Sequence, residues 1–261
     1  MKGHTPRRRF GQNFLVDQGI INAIVQVIDP QPDDIMVEIG PGLGVLTAPL
    51  LKRLLHLHVI EIDRDLVARM QSRFKPEQLS IYSGDVLEFN FHTLPAPFRV
   101  VGNLPYNIST ELLFRLQPHA ARMHDAHFML QKEVVERMVA APSSAAYGRL
   151  SVMLQYRFAM EKLIDVPPES FKPAPKVDSA VVRMRPLALE QMNTCDEGLL
   201  AQVVTTAFTK RRKTLRNALE GVVGVDAWGV LGIDPQLRPE NLSVADYVSI
   251  VRSLAEAPQA N

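Results

Sequence analysis

Behind Asp17, a side chain able to cap a helix, apolar residues recur at Ile20, Ile21, Ile24, Val25 and Ile28, on one face at helical spacing, and the run stops before Pro30. The period then changes. A strand is expected over 35–39, followed by a glycine-rich turn and a helix to about residue 55. Next come a strand in HVIEID (58–63), a helix in DLVARMQSRF (65–74), a strand in LSIYSGD (79–85), a strand in RVVGN (99–103) and a helix after Ile108. Such βαβ alternation predicts an α/β fold with a parallel sheet, helices on both faces and ligands at the carboxyl ends of the strands. Further strands are expected at AHFML (126–130), FAMEKLIDV (158–166) and SAVVRMR (179–185), the last close enough to its predecessor to pair antiparallel. PLALEQ then reads as a linker, and from Glu197 to Glu256 the pattern holds only short helices. A larger domain over 1–187 and a small helical domain over 188–261 are therefore expected.

A chain of 261 residues with 46% hydrophobic and 22% charged residues can bury a full core. No apolar run approaches the length of a membrane span. The basic start MKGHTPRRRF is followed at once by polar GQNF, where a secretory leader would carry its apolar core, so a cytoplasmic protein is expected. The lone Cys195 excludes an internal disulfide and leaves too few thiols for a thiolate metal site. Net charge is only +1, but its distribution is uneven: Arg7, Arg8 and Arg9 cluster at the start, and Lys210, Arg211, Arg212, Lys213 and Arg216 cluster in TKRRKTLRN.

Three strand ends carry chemistry. The first closes in VEIGPGLGVLT, with Gly40, Gly42 and Gly44 on alternate positions where the backbone can approach a ligand. The second ends in EID, placing Glu61 where a carboxylate accepts both hydroxyls of a ribose, and Asp85 closes the third. A dinucleotide site wants a further glycine at the helix start for pyrophosphate, and Val45 or Thr47 stands there instead. S-adenosylmethionine has an adenosine and no phosphate, and Gly40, Glu61 and Asp85 suit its methionine, ribose and adenine in that order. A methyltransferase is thus favoured over an oxidoreductase.

The fourth strand end reads FRVVGNLPYNIST (98–110). Pro105 fixes one backbone angle and restricts its neighbour, holding Asn103 and Tyr106 rigidly beside the expected methyl donor. An exocyclic adenine amine is a poor nucleophile because its lone pair is delocalised into the ring. The Asn103 oxygen and the Leu104 or Pro105 carbonyl, accepting from that amine, would favour a pyramidal nitrogen, and Tyr106 would stack on the base. In SFKPAPKVDSAVV, Pro173 and Pro175 stiffen the chain so that Phe171 is a candidate for the other face of a base sandwich, with plain core burial as the alternative.

GQNFL at 11–15, VEIGPGLG at 37–44, EID at 61–63, GD at 84–85, NLPYNIS at 103–109 and FKPAPKVDSAVV at 171–182 occur in this order in one chain, which closely resembles the ribosomal RNA adenine dimethyltransferases, more narrowly their bacterial small-subunit branch. The resemblance covers essentially the whole chain, and AFTKRRKTLRNAL is similar to the family's basic helix. It implies a class I, Rossmann-like S-adenosylmethionine-dependent methyltransferase fold with a mostly parallel sheet, an antiparallel last strand and a small C-terminal helical domain. It also implies transfer of four methyl groups to two adjacent adenosines in a hairpin near the 3′ end of 16S rRNA, on an assembling 30S subunit, by a monomer that also serves in subunit maturation. Carried over, the cofactor contacts are Asn13, Leu15, Gly40, Glu61, Asp85 and Asn103, and the target adenine is held by Asn103, Pro105, Tyr106 and Phe171. Ala218, where many relatives carry a second Asn, is expected to alter no more than a surface contact. The two basic clusters are expected to grip rRNA backbone while the base leaves its stack. The rivals are a macrolide-resistance methyltransferase of large-subunit RNA, a ribosome-assembly factor that uses the cofactor site only structurally, and a nicotinamide-dependent oxidoreductase.

Overall fold

The computed structural model describes residues 13–188 and 194–256; Arg7, Arg8 and Arg9 lie outside the described residues. By compactness the chain divides into two units. One holds the residues up to Val135 together with Ala159–Pro186, the other Glu136–Phe158 together with everything after Pro186. The expected line after residue 187 would leave Glu136–Phe158 with the sheet, whereas in the structure this excursion groups with the C-terminal helices.

The first unit opens with strand β1 (Phe14–Leu15) and helix α1 (Gln18–Ile28). Asp17 caps α1 as its sequence predicts, its Oδ1 accepting from the Gly19 and Ile20 amides at 2.8 and 3.1 Å, a contribution of about 1 kcal/mol. Ile21, Ile24, Val25 and Ile28 are buried beneath it. Strands β2 (Ile35–Ile39), β3 (Leu57–Glu61), β4 (Leu79–Ser83), β5 (Phe98–Asn103), β6 (Met123–Gln131), β7 (Phe158–Val166) and β9 (Ser179–Pro186) form one sheet in the order β4-β3-β2-β5-β6-β9-β7. β2 pairs parallel with both β3 and β5, β3 with β4, and β5 with β6, while β9 runs antiparallel to β6. Strand β8 (Phe171–Lys172) stands apart and pairs antiparallel with β1, setting Leu15 opposite Phe171. Valines at 37, 59 and 100 are fully buried, as near-continuous apolar strands covered on both faces require.

Helix α2 spans only Thr47–Leu50, against an expected end near residue 55. The amides of Leu50 and Leu51 bond four residues back, but those of Lys52 and Arg53 bond three back, to Pro49 and Leu50, so the chain continues in tighter turns instead of regular helix. Helices α3 (Arg64–Arg73) and α4 (Ser109–Leu116) follow β3 and β5 where the pattern placed them. Helix α5 (Lys132–Val139) carries the chain out of the first unit.

The second unit contains α6 (Arg149–Gln155), α7 (Glu197–Thr209), α8 (Leu215–Ala218), α9 (Ala227–Leu231) and α10 (Val244–Glu256), with no strand lying wholly within it among the described residues. Residues 210–213, expected in a basic helix, form instead the turn between α7 and α8. The apolar residues that seat α7 end at Ala207 and burial resumes at Leu215, so the cations between them have no core-facing position to continue the helix. Ala218 is fully buried, so the position expected to affect a surface contact belongs to the core. Among the described residues no helix is long and apolar enough to cross a membrane.

Candidate active site

β2 lies between β3 and β5, so the chain leaves β2 in one direction and returns on its other side, opening a crevice at the carboxyl ends of β2 and β5. Gly102 sits opposite Ile39 in the ladder, and a Cβ there would come within 2.7 Å of the Ile39 carbonyl oxygen. Only glycine lets these two strands close at this point. Past the end of β2, Gly40, Gly42 and Gly44 all have positive φ, at 63°, 57° and 73°, the left-handed region that disfavours side chains. The Gly40 amide extends the ladder by donating to the Ile60 carbonyl at 2.9 Å, and Arg73 at the end of α3 donates to the Leu43 carbonyl at 2.9 Å.

A cleft of about 320 Å³ lies over these strand ends, and Asn13, Leu15, Gly40, Glu61, Asp85, Asn103, Pro105 and Tyr106 all line it. Among the described residues its lining carries three carboxyls, Glu38, Glu61 and Asp85, and no Lys, Arg or His. Glu61 is 5% exposed; its Oε1 accepts from the Asp63 amide at 2.9 Å and its Oε2 from the Gly42 amide at 3.2 Å, so one carboxylate ties the glycine loop to the turn into α3. Burial pushes its pKa up and those amides act in the opposite direction. Asp85 is oriented by the Leu87 amide at 2.9 Å. Glu38, one residue before the end of β2, is almost wholly buried and accepts from the Thr47 hydroxyl at 2.6 Å. Burial drives its pKa up to about 7, against the Thr47 bond and with help from the charge of Glu61.

The Asn-Leu-Pro-Tyr segment continues β5 over the cleft. The Leu104 amide bonds to the Met129 carbonyl of β6 at 3.1 Å, and the half-buried Asn103 amide donates from Nδ2 to the Asn13 carbonyl at 3.1 Å. A carbonyl partner fixes that nitrogen as the donor, and so fixes Oδ1 as the acceptor end of the side chain. The Pro105 carbonyl takes the Ile108 amide at 3.2 Å, which makes the Leu104 carbonyl the better placed of the two main-chain acceptors for an incoming amine. The Tyr106 hydroxyl pairs with Ser179 of β9 at 2.8 Å, anchoring the ring from behind, and burial raises its pKa against that bond.

The structure does not bring Phe171 to the cleft. It is 3% exposed, in the hydrophobic core with Leu15, Ile21 and Val181, because the β1–β8 pairing turns it inward. Its place corrects the expectation of a second aromatic face and matches the core alternative. Of the C-terminal basic residues, Arg211 is tied within its own unit to the Ala145 carbonyl at 2.9 Å and to Glu240 at 3.7 Å, while Lys210, Arg212, Lys213 and Arg216 are exposed. Sequence reasoning missed Glu38, taken only as a strand residue, and Ile62, an apolar residue 45% exposed in the cleft lining next to Glu61. An exposed apolar side chain directly after a strand-end acid was the available signal.

The strand order, the glycine turn after β2 and the carboxylates closing β3 and the β4 turn define a class I methyltransferase fold. Its structural relatives include a dimethyladenosine transferase from Plasmodium falciparum, with a TM-score of 0.81 at 26% identity over 93% of this chain and 98% of that one. They also include the 23S rRNA methyltransferase ErmE, with a TM-score of 0.73 at 25% identity over 94% and 100%. The model of the ribosomal RNA adenine dimethylase family matches residues 3–256, and the chain belongs to that family. It is similar to the ribosomal RNA small subunit methyltransferase A of Dechloromonas aromatica, 58% identical over 98% of this chain and the whole of that protein. The corresponding protein of Aromatoleum aromaticum is 59% identical over the whole of this chain and 98% of its own length.

Proposed function

We propose that the protein is an S-adenosylmethionine-dependent rRNA adenine N6-dimethyltransferase that converts two adjacent adenosines in a hairpin near the 3′ end of 16S rRNA to dimethyladenosine. The observation that carries the reading is a cleft at the sheet's switch point whose described lining residues include three carboxyls and no cationic side chain, with Asn103, its acceptor end fixed, among them. Such a lining suits a ligand bearing a sulfonium and an ammonium and repels a pyrophosphate. Glu61 would take the ribose hydroxyls, Asp85 with Ile62 the adenine, and the Gly40 turn with Asn13 and Leu15 the methionine part; the bound cofactor supplies an electrophilic methyl group.

The chain's own work is alignment. Asn103 Oδ1 and the Leu104 carbonyl accept from the target amine and hold its lone pair towards the methyl, while Tyr106, braced by Ser179, stacks on the base. No general base is required, since the methylated amine is acidic enough to lose its proton to water. The exposed cations of the α7–α8 turn, with Arg7, Arg8 and Arg9, grip rRNA backbone, and the helical unit is the ribosome-binding part; Arg211 acts chiefly as an internal brace. Naming of the 58–59% identical relatives as small-subunit enzymes supports this branch over the large-subunit one. The setting is an assembling 30S subunit in the cytoplasm, met by a monomer.

The test is transfer from radiolabelled S-adenosylmethionine to small subunits lacking adenine dimethylation, beside mature small subunits and large-subunit RNA, with the nucleosides identified by mass spectrometry. Dimethyladenosine is expected only on the unmodified small subunit, and Asn103→Ala is expected to lower the rate by about a hundredfold or more. Label on large-subunit RNA would overturn the substrate, and binding without transfer would leave an assembly factor.

A further inference from the structure

Glu38 takes no part in the scheme above. It lies at the floor of the cleft, in the strand that leads into the Gly40 turn, and it is 2% exposed. One oxygen accepts from Thr47, the first residue of α2. Strands β3 and β5 flank it through Val59 and Val101, both apolar. The other titratable groups of the cleft are Glu61 with Asp63 behind it, Asp85 and the Tyr106 hydroxyl. Among the described lining residues there is no cation to neutralise a buried carboxyl in this setting, so a cationic ligand would do so.

We propose that Glu38 is a proton-linked positioning residue for the cofactor: neutral in the empty cleft, it ionises as the cationic methionine end of S-adenosylmethionine binds, and its proton leaves to solvent. This inference rests on the cofactor reading above and deepens it. The geometry supplies the cause, a buried carboxyl in the lining of the cavity, bonded on one side by a hydroxyl donor and sharing that lining, among the described residues, with acids and no cation. Its titration near neutral pH in the empty cleft agrees. The sign follows from linkage: binding favours the ionised form, so affinity is full well above pH 7 and falls as pH drops through that value. The product, which has lost the sulfonium charge, draws the ionised form less strongly, so the same group favours product release by taking its proton back.

The test is calorimetric titration of S-adenosylmethionine into the full-length protein at pH 6, 7 and 8, in phosphate and in Tris, for wild type, Glu38→Gln and Thr47→Val. The cofactor's own ammonium, with a pKa near 8, titrates in every protein and cancels in the comparison. Wild type is expected to lose about tenfold in affinity between pH 8 and pH 6 relative to Glu38→Gln, and to release more protons on binding, read from the buffer dependence of the heat, than the glutamine variant does. Thr47→Val keeps the carboxyl but removes the bond that favours its ionised form, so its midpoint is expected above that of wild type. That variant keeps the test alive if Glu38→Gln does not fold. Wild-type binding with the same pH dependence and the same heats as Glu38→Gln, or a Thr47→Val midpoint that does not move, would overturn the role of Glu38 alone. Failure of wild type to bind S-adenosylmethionine at any of these pH values would overturn the cofactor reading itself.

Discussion

Strand β5 carries a buried carboxyl cluster near each end, and the two are built oppositely. At its start Arg99 bonds both oxygens of Asp125 at 2.8 Å and one of Asp34 at 2.6 Å, and it also donates to the Ile28 and Asp29 carbonyls at the end of α1, at 2.6 and 3.3 Å. Burial would raise the Asp125 pKa, but the Arg99 bonds overcome it and hold the carboxyl below the ordinary aspartate range. At the other end Glu38 is equally buried, has no cation beside it among the described residues of the cleft lining, and is pushed up to about 7. Equal burial with opposite shifts separates a finished structural network from a site that still needs a positive ligand.

Breaking the closed end should have the largest effect. Arg99→Met leaves Asp125 buried and uncompensated, and a loss of about 3–5 kcal/mol in urea unfolding is expected, with much of it regained when Asp125→Leu is added. A loss below about 1 kcal/mol would mean that the network does not brace the sheet. At the open end Glu61→Gln turns one of two acceptors of backbone amides into a donor, so binding of S-adenosylmethionine is expected to fall by about tenfold, roughly 1.4 kcal/mol, with a loss of about 1–2 kcal/mol in unfolding, smaller than that of Arg99→Met. A variant that unfolds without a binding defect would make Glu61 a structural group like Asp125. The smallest effects belong to the surface: Lys213→Ala and Arg216→Ala should each lower the salt slope of small-subunit binding by about 1, while Arg211→Ala should cost helical-unit stability more than it changes that slope.

Much of this contrast was legible in the chain. The strand ends at 39, 61 and 103, the Asp17 cap and the alternate glycines follow from periodicity and turn chemistry, which are local. The cleft residues were legible for the same reason, since each stands at a strand end. Arg99 and Glu38 were not, because each sits within an apolar run where sequence cannot tell a solvated end from a buried one. Phe171 shows the same limit: the prolines around it set the backbone, but the β1–β8 pairing decides which way its ring faces. The pattern predicts helix to about residue 55 and the family resemblance predicts it over 210–213; after Leu50 the backbone bonds tighten into turns, and between Ala207 and Leu215 no core-facing side continues the helix.

The most direct measurement is equilibrium binding of S-adenosylmethionine and of NADH to the wild-type protein at pH 8. A cleft whose described lining residues carry carboxyls and no cation predicts saturable, micromolar-range binding of S-adenosylmethionine and none of NADH at comparable concentrations. NADH binding as tightly as S-adenosylmethionine, or better, would contradict the account.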